Sequence, residues 1–251
     1  MTSVRDQVSA AEWEARVDLA ACYRLVALFE MNDLIYNHIS ARVPDAEGQF
    51  LLNPYGLHYE EITASSLVKV DVTGKVLLNP NKDYSFNPAG FVIHGAIHEA
   101  RPEIDCVVHT HTPAGMAVSA LRCGLLPLTQ TAMRFAEVGY HDYEGVVLEM
   151  DERDRLLANL GDRDVMILRN HGLLAVGRTI AEGFNNIYRI ERACRAQIMA
   201  MSCGTELIVP SDEVVRRTNH VYRPEVRRRY GLLEWPAMRR MLDRRDTSYR
   251  D

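Results

Sequence analysis

Two short apolar runs, each ending in histidine, constrain this chain more than any other feature. Ile104-Asp105-Cys106-Val107-Val108 leads into His109-Thr110-His111, and Val165-Met166-Ile167-Leu168 leads into Asn170-His171-Gly172. Short, nearly continuous apolar runs are the pattern of strands covered on both faces. Side chains two apart on a strand share a face, so His109 and His111 are predicted to converge. Strand ends on one side of a sheet form the usual ligand crevice. His171 also follows an apolar strand, and Gly172 would let the backbone turn close to that crevice. Three imidazoles there would be a zinc-type ligand set, with bonds of about 2.0–2.1 Å. The competing reading, in which an isolated His-x-His is a pair of unrelated surface or core residues, loses ground once His171 joins the set.

The rest of the chain frames these two runs. Apolar residues at steps of three and four between 11 and 31 predict an opening helix. Short strands are predicted at Ile39–Val43, Phe50–Asn53, Leu67–Val72 and Val76–Leu78, with Asp71-Val72-Thr73-Gly74-Lys75 as a hairpin turn. Phe91, Ile93, His94, Ile97 and His98 have helical spacing, and Arg101-Pro102 ends that helix. Thr112-Pro113 caps and starts another through Ala120, Asp151 is placed to cap a third through Leu160, and a long helix is expected from Ile180 to Met201 with Gly204 as its C-cap. Tyr140-His141-Asp142-Tyr143 is expected as a polar loop. With no internal repeat or composition break, the chain divides into one domain over 11–205 and a helical C-terminal extension over 206–251, packed on the same domain or at a subunit contact.

Charge and cysteine usage exclude several classes. A net charge of −5 argues against nucleic-acid binding. The eleven arginines of residues 212–251 stand among seven acidic residues at helical spacing, which reads as surface ion pairing. Five scattered cysteines without a Cys-x-x-Cys pair fit neither a disulfide framework nor a thiolate zinc finger. Thr73-Gly74-Lys75 lacks the upstream glycine of a phosphate-binding loop. No secretory leader and no run of 18 apolar residues is present, so the expectation is a cytoplasmic protein without a membrane partner.

The sequence resembles the class II aldolase/adducin family, which includes fuculose-phosphate aldolase, rhamnulose-phosphate aldolase and ribulose-phosphate 4-epimerase. The resemblance is carried by Arg101-Pro102, Val107-Val108-His109-Thr110-His111-Thr112 and Leu168-Arg169-Asn170-His171-Gly172-Leu173. Within the family it is similar to the adducin head domain through Asn37-His38-Ile39-Ser40, Asn53-Pro54-Tyr55-Gly56, the block from Ala64 to Asp71, and Asn87-Pro88-Ala89-Gly90-Phe91. The likeness spans about residues 11 to 205. It implies a three-layer α/β/α sandwich with a central, mainly antiparallel sheet, assembled as a homotetramer with sites between subunits. It also implies a divalent ion held by His109, His111 and His171, zinc first, with iron or manganese as alternatives. That ion would act as a Lewis acid on a hydroxy-ketone and stabilise an enediolate.

The departures from the family matter as much. The sugar-phosphate aldolases carry a catalytic glutamate at the position of Gly90, and phosphate-binding serines at those of Pro88 and Ala89. Their further phosphate contact, a small hydroxyl residue before a glycine, corresponds to Tyr55-Gly56. A phosphorylated substrate is therefore not expected. Asn37, His38, Tyr55, Gly56 and Gly90 are the expected substrate-lining residues. His94, four residues past Gly90 on the same helical face, and Tyr140 are the candidate catalytic groups, each set against a plain structural role. Three readings follow: a metal-dependent, aldolase-type lyase on a small unphosphorylated hydroxy or oxo compound; a catalytically silent adducin-like binding or scaffold protein; and an iron-dependent redox or decarboxylating enzyme. The long basic tail through which eukaryotic adducins bind partners has no counterpart here, which favours the enzyme.

Overall fold

The computed structural model describes residues 3–145 and 150–251, the side chains of Met150 and Asp151 excepted. Eight strands form one sheet: β1 (His38–Arg42), β2 (Gln49–Leu52), β3 (Val68–Asp71), β4 (Val76–Leu78), β5 (Cys106–Thr110), β6 (Gly139–His141), β7 (Val165–Leu168) and β8 (Gly172–Gly177). Their spatial order is β4-β3-β2-β1-β5-β8-β7-β6, and every neighbouring pair is antiparallel except β6 with β7. Around it lie α1 (Ala10–Leu28), α2 (Pro88–Ala100), α3 (Pro113–Ala120), α4 (Gln130–Met133), α5 (Met150–Leu160), α6 (Ile180–Ser202), α7 (Asp212–Val221) and α8 (Glu234–Asp243).

The two-residue repeat of the strands divides the interior into layers. Cys106, Val108, Val165, Ile167, Leu173 and Ala175 enter the core shared with α1 and α6. Val107, Met166, Leu168, Leu174 and Val176 face the opposite way, onto Ile93 and Ile97 of α2 and Leu156 and Leu160 of α5. Strands covered on both faces must be apolar throughout, and this is why β5, β7 and β8 read as unbroken runs. The expected α/β/α sandwich with a mainly antiparallel sheet is the architecture found.

Helix ends follow side-chain chemistry. The Ser9, Asn87, Thr112 and Thr179 side chains accept hydrogen bonds from Glu12, Ala89, Gly115 and Glu182 amides, so each helix starts where a cap satisfies an orphan N–H. The opening helix stops at Leu28, short of the predicted residue 31, because Glu30 takes φ 56°. Gly204, at φ 66°, stands just past α6 as predicted. The Asp151 cap lies outside the described residues.

Two expectations are corrected. Gly139–His141 opens the predicted polar loop as a strand, β6, its residues paired in parallel with Met166, Ile167 and Leu168. Leu173 to Val176, for which the sequence suggested no strand, are the body of β8, wedged between β5 and β7. Hairpin continuity from β7 hid it: only Arg169, Asn170 and His171 separate the two strands. The segment after α6 returns to the main body. Trp235, Leu242 and Tyr249 are buried in the core with α1, and the Trp235 indole N–H donates to Asp18 at 3.1 Å.

Candidate metal centre

Antiparallel pairing brings chemically rich strand ends to one edge of the sheet. β5 ends there at Thr110, β8 begins there opposite it, and β1 begins there with His38 directly across from His109. β2 ends beside β1 at Leu52, so Tyr55 and Gly56 follow at the same edge, as does His141 at the end of β6.

The three histidines converge by their Nε2 atoms. His109 to His111 is 2.8 Å, His111 to His171 is 3.0 Å, and His109 to His171 is 3.2 Å. The opposite nitrogens are anchored: His109 Nδ1 donates to the Leu173 carbonyl at 2.9 Å, and His111 Nδ1 lies 3.3 Å from Asp33 Oδ2. A neutral imidazole that donates through Nδ1 carries a bare lone pair on Nε2. Two such lone pairs 2.8 Å apart repel unless a cation or proton lies between them. Nitrogens bound at about 2.1 Å to one ion lie about 3.0–3.4 Å apart, so the residues present fit a shared divalent cation.

Burial reinforces this. The His109 imidazole is held well below its ordinary pKa by desolvation and by neighbouring imidazoles, and His111 is lowered by desolvation against the opposing pull of Asp33. Desolvation, then His111 and His141, push His171 down to about 4. All three are therefore neutral ligands near pH 7. Local backbone geometry is committed to the same end. Asn170, at φ 55°, turns the chain so that His171 faces the pair, and a Cβ on Gly172 would lie 2.4 Å from the Thr110 carbonyl oxygen.

The remaining candidates fall into two groups. Asn37 is 1% exposed and accepts from the Asp33 amide at 2.6 Å, steadying the loop whose carboxylate orients His111. His38 tilts against His109 with ring centroids 5.0 Å apart. Gly90 touches it, since a Cβ there would lie 2.5 Å from His38 Cδ2. His94 is fully buried behind His38, 2.8 Å from it, and its ring nitrogens are taken by His38 and Ser40 rather than by the trio. Tyr55 is exposed in its loop, and Gly56 at φ 127° packs on the Tyr84 ring. Tyr140 points away from the trio: its hydroxyl accepts from the Leu125 amide at 2.9 Å and Arg169 covers its ring at 4.1 Å. Sequence reasoning missed Asp33, Ser40 and His98. The last two carried a signal, a two-residue repeat with His38 and a four-residue repeat with His94.

Residues 17–198 match the model of the Class II Aldolase and Adducin N-terminal domain. The chain belongs to this family. A "Putative aldolase class 2 protein" of Pseudomonas aeruginosa is 50% identical to this class II aldolase/adducin chain, over 98% of it and 96% of the relative. Alpha-adducin of Rattus norvegicus is 47% identical over 74% of this chain but only 26% of its own length. The solved L-fuculose 1-phosphate aldolase of Glaciozyma antarctica superposes with a TM-score of 0.83 at 26% identity, covering 96% of this chain and 94% of that one. No helix among the described residues is long and apolar enough to cross a membrane.

Proposed function

We propose that this family member is a divalent-metal-dependent lyase of the aldolase type, acting on a small unphosphorylated hydroxy or oxo compound. The carrying observation is the convergence of three Nε2 atoms within 3.2 Å, with His109 and His111 anchored through Nδ1. His109, His111 and His171 hold the ion, zinc first, with iron or manganese as alternatives. A bound divalent cation supplies Lewis-acid stabilisation of negative charge developing on a carbonyl oxygen. Three neutral imidazoles leave its charge undiminished. The chain's own groups do the rest: Asp33 and the Leu173 carbonyl orient two ligands, and His38, Asn37, Tyr55, Gly56 and Gly90 line the approach.

Selection against a phosphate follows from the start of α2. Pro88 has no N–H, and the Ala89 amide is already taken by Asn87 Oδ1 at 3.1 Å, so the anion-binding capacity of that helix end is largely spent. Substrate sites between subunits of a homotetramer are part of the proposal.

Metal analysis of protein purified without chelator tests it, with His109→Ala beside wild type. The expected result is one equivalent in wild type and almost none in the variant, with metal-dependent cleavage of small hydroxy acids in a retro-aldol and decarboxylation screen. Substoichiometric metal in both proteins would end the reading. A second reading, a binding protein without lyase chemistry, is favoured by Gly90, which places no proton-carrying side chain at the start of α2. Full metal with silence throughout the screen would select it.

A further inference from the structure

A second imidazole cluster lies behind the first and supplies none of its three converging nitrogens. His38 Nδ1 is 2.8 Å from His94 Nε2, His94 Nδ1 is 2.6 Å from Ser40 Oγ, and that oxygen is 2.7 Å from His98 Nε2. His38 is 7% exposed and the other three are 2% or less. Two periodicities build this column: His38 and Ser40 share one face of β1, and His94 and His98 share one face of α2.

Each link holds one hydrogen, so where the Ser40 hydroxyl donates to one ring and accepts from the other, the direction of any link sets the direction of all. At the far end His98 Nδ1 meets no partner at hydrogen-bonding geometry, and among the described residues the Ile104 backbone is the one neighbour that raises the ring's pKa. Burial, then Arg42, push the His98 ring down to about 3, so it stays neutral. Burial also holds His38 and His94 well below the ordinary imidazole range, with neighbouring imidazoles adding to it. With the proton on His98 Nδ1, Nε2 accepts from Ser40, Ser40 accepts from His94 Nδ1–H, and His94 Nε2 accepts from His38 Nδ1–H. The last atom of the series, His38 Nε2, is then a bare lone pair. It has no hydrogen-bond partner among the described residues, and Gly90 leaves it room, since a Cβ there would lie 2.7 Å from it.

We propose that Ser40, His94 and His98 are positioning residues that hold His38 in the Nδ1–H form, so that its Nε2 accepts a hydrogen bond from a hydroxyl of a ligand held beside His109. This assigns the site a preference for hydroxylated ligands and rests on the metal-centre reading above. Nitrogen NMR of the imidazoles in the metal-free full chain is the direct test. Wild type is expected to show His38 as a single Nδ1–H tautomer, Ser40→Ala to mix the tautomers of His38 and His94, and Ser40→Thr to restore the wild-type pattern. Where Ser40→Ala does not fold, His98→Phe breaks the same column while keeping an aromatic ring against Phe50, whose centroid is 4.8 Å from that of His98. An Nε2–H form of His38 in wild type, or a tautomer unmoved in the folded variants, overturns the proposal. In zinc-loaded protein, glycolate affinity by calorimetry is expected to fall about tenfold in Ser40→Ala at unchanged zinc stoichiometry, and an unchanged affinity would also overturn it. A wild-type chain that takes up no zinc sinks the metal reading alone, while the NMR result still decides the column.

Discussion

A buried column and a part-buried trio of histidines meet where His38 leans on His109, and they handle the same chemistry in opposite ways. In the column each inner nitrogen faces one partner, so hydrogens can be shared link by link and only the two end nitrogens, His98 Nδ1 and His38 Nε2, are left over. In the trio three nitrogens face one point, and no placement of hydrogens on neutral rings satisfies all three pairs. A linear series of imidazoles can therefore hold its own hydrogens in order, whereas a converging set asks for a cation. The difference lies in direction alone, since both groups are polar, desolvated and of depressed pKa.

One glycine serves each group, and exchanging them breaks the comparison most sharply. Gly172→Ala drives a Cβ to 2.4 Å from the Thr110 carbonyl, backbone that cannot swing aside. It should cost about 3 kcal/mol in denaturant unfolding, at the upper end of overpacking, and abolish metal uptake. Gly90→Ala instead presses on the His38 ring, and about 1 kcal/mol returned by alanine's helix propensity leaves a net loss of about 1 kcal/mol with metal uptake intact. Equal metal loss in both variants would mean that the two groups are one unit.

Acid gives the next largest effect. The folded-state pKa of every histidine in both groups is depressed, so the unfolded chain binds more protons below about pH 6.5. The stability these groups contribute is present above that pH and is lost as pH falls through their folded values, about 4 for His171 and about 3 for His98. Thermal melts of metal-free protein should therefore fall steadily from pH 6.5 downward, and a melting temperature flat to pH 4 would contradict the depressed values. Tyr140→Phe should give the smallest effect, a loss of about 1 kcal/mol from the hydrogen bond to Leu125 with metal content unchanged. Loss of metal in that variant would place Tyr140 at the site, against the direction its side chain takes.

Much of the layout is legible in the sequence. The helix start at Thr112-Pro113, the hairpin after Asp71 and the glycine past α6 each follow from one residue's local chemistry, and all three are found. The His109–His111 pairing rested on strand periodicity and was equally readable. β8 was not, although Leu173 to Val176 is as long an apolar run as Val165 to Leu168, because only Arg169, Asn170 and His171 separate it from β7. β6 was obscured by polar residues that belong to the site edge. His94 looked like a replacement acid or base from its spacing to Gly90, yet its ring is spent on His38 and Ser40.

Sequence alone determined which residues could be ligands, which faces were apolar, and that His109, His111 and His171 would stand at strand ends. These are local properties, decided by periods of two and 3.6 and by turn chemistry. Only the tertiary structure decided that His38 sits across from His109, that Asp33 and Leu173 turn two rings so their lone pairs meet, and that Ser40 and His98 complete a column. Those outcomes depend on strand register and on packing between β1 and α2, and such contacts between residues more than fifty positions apart leave no periodic trace along the chain.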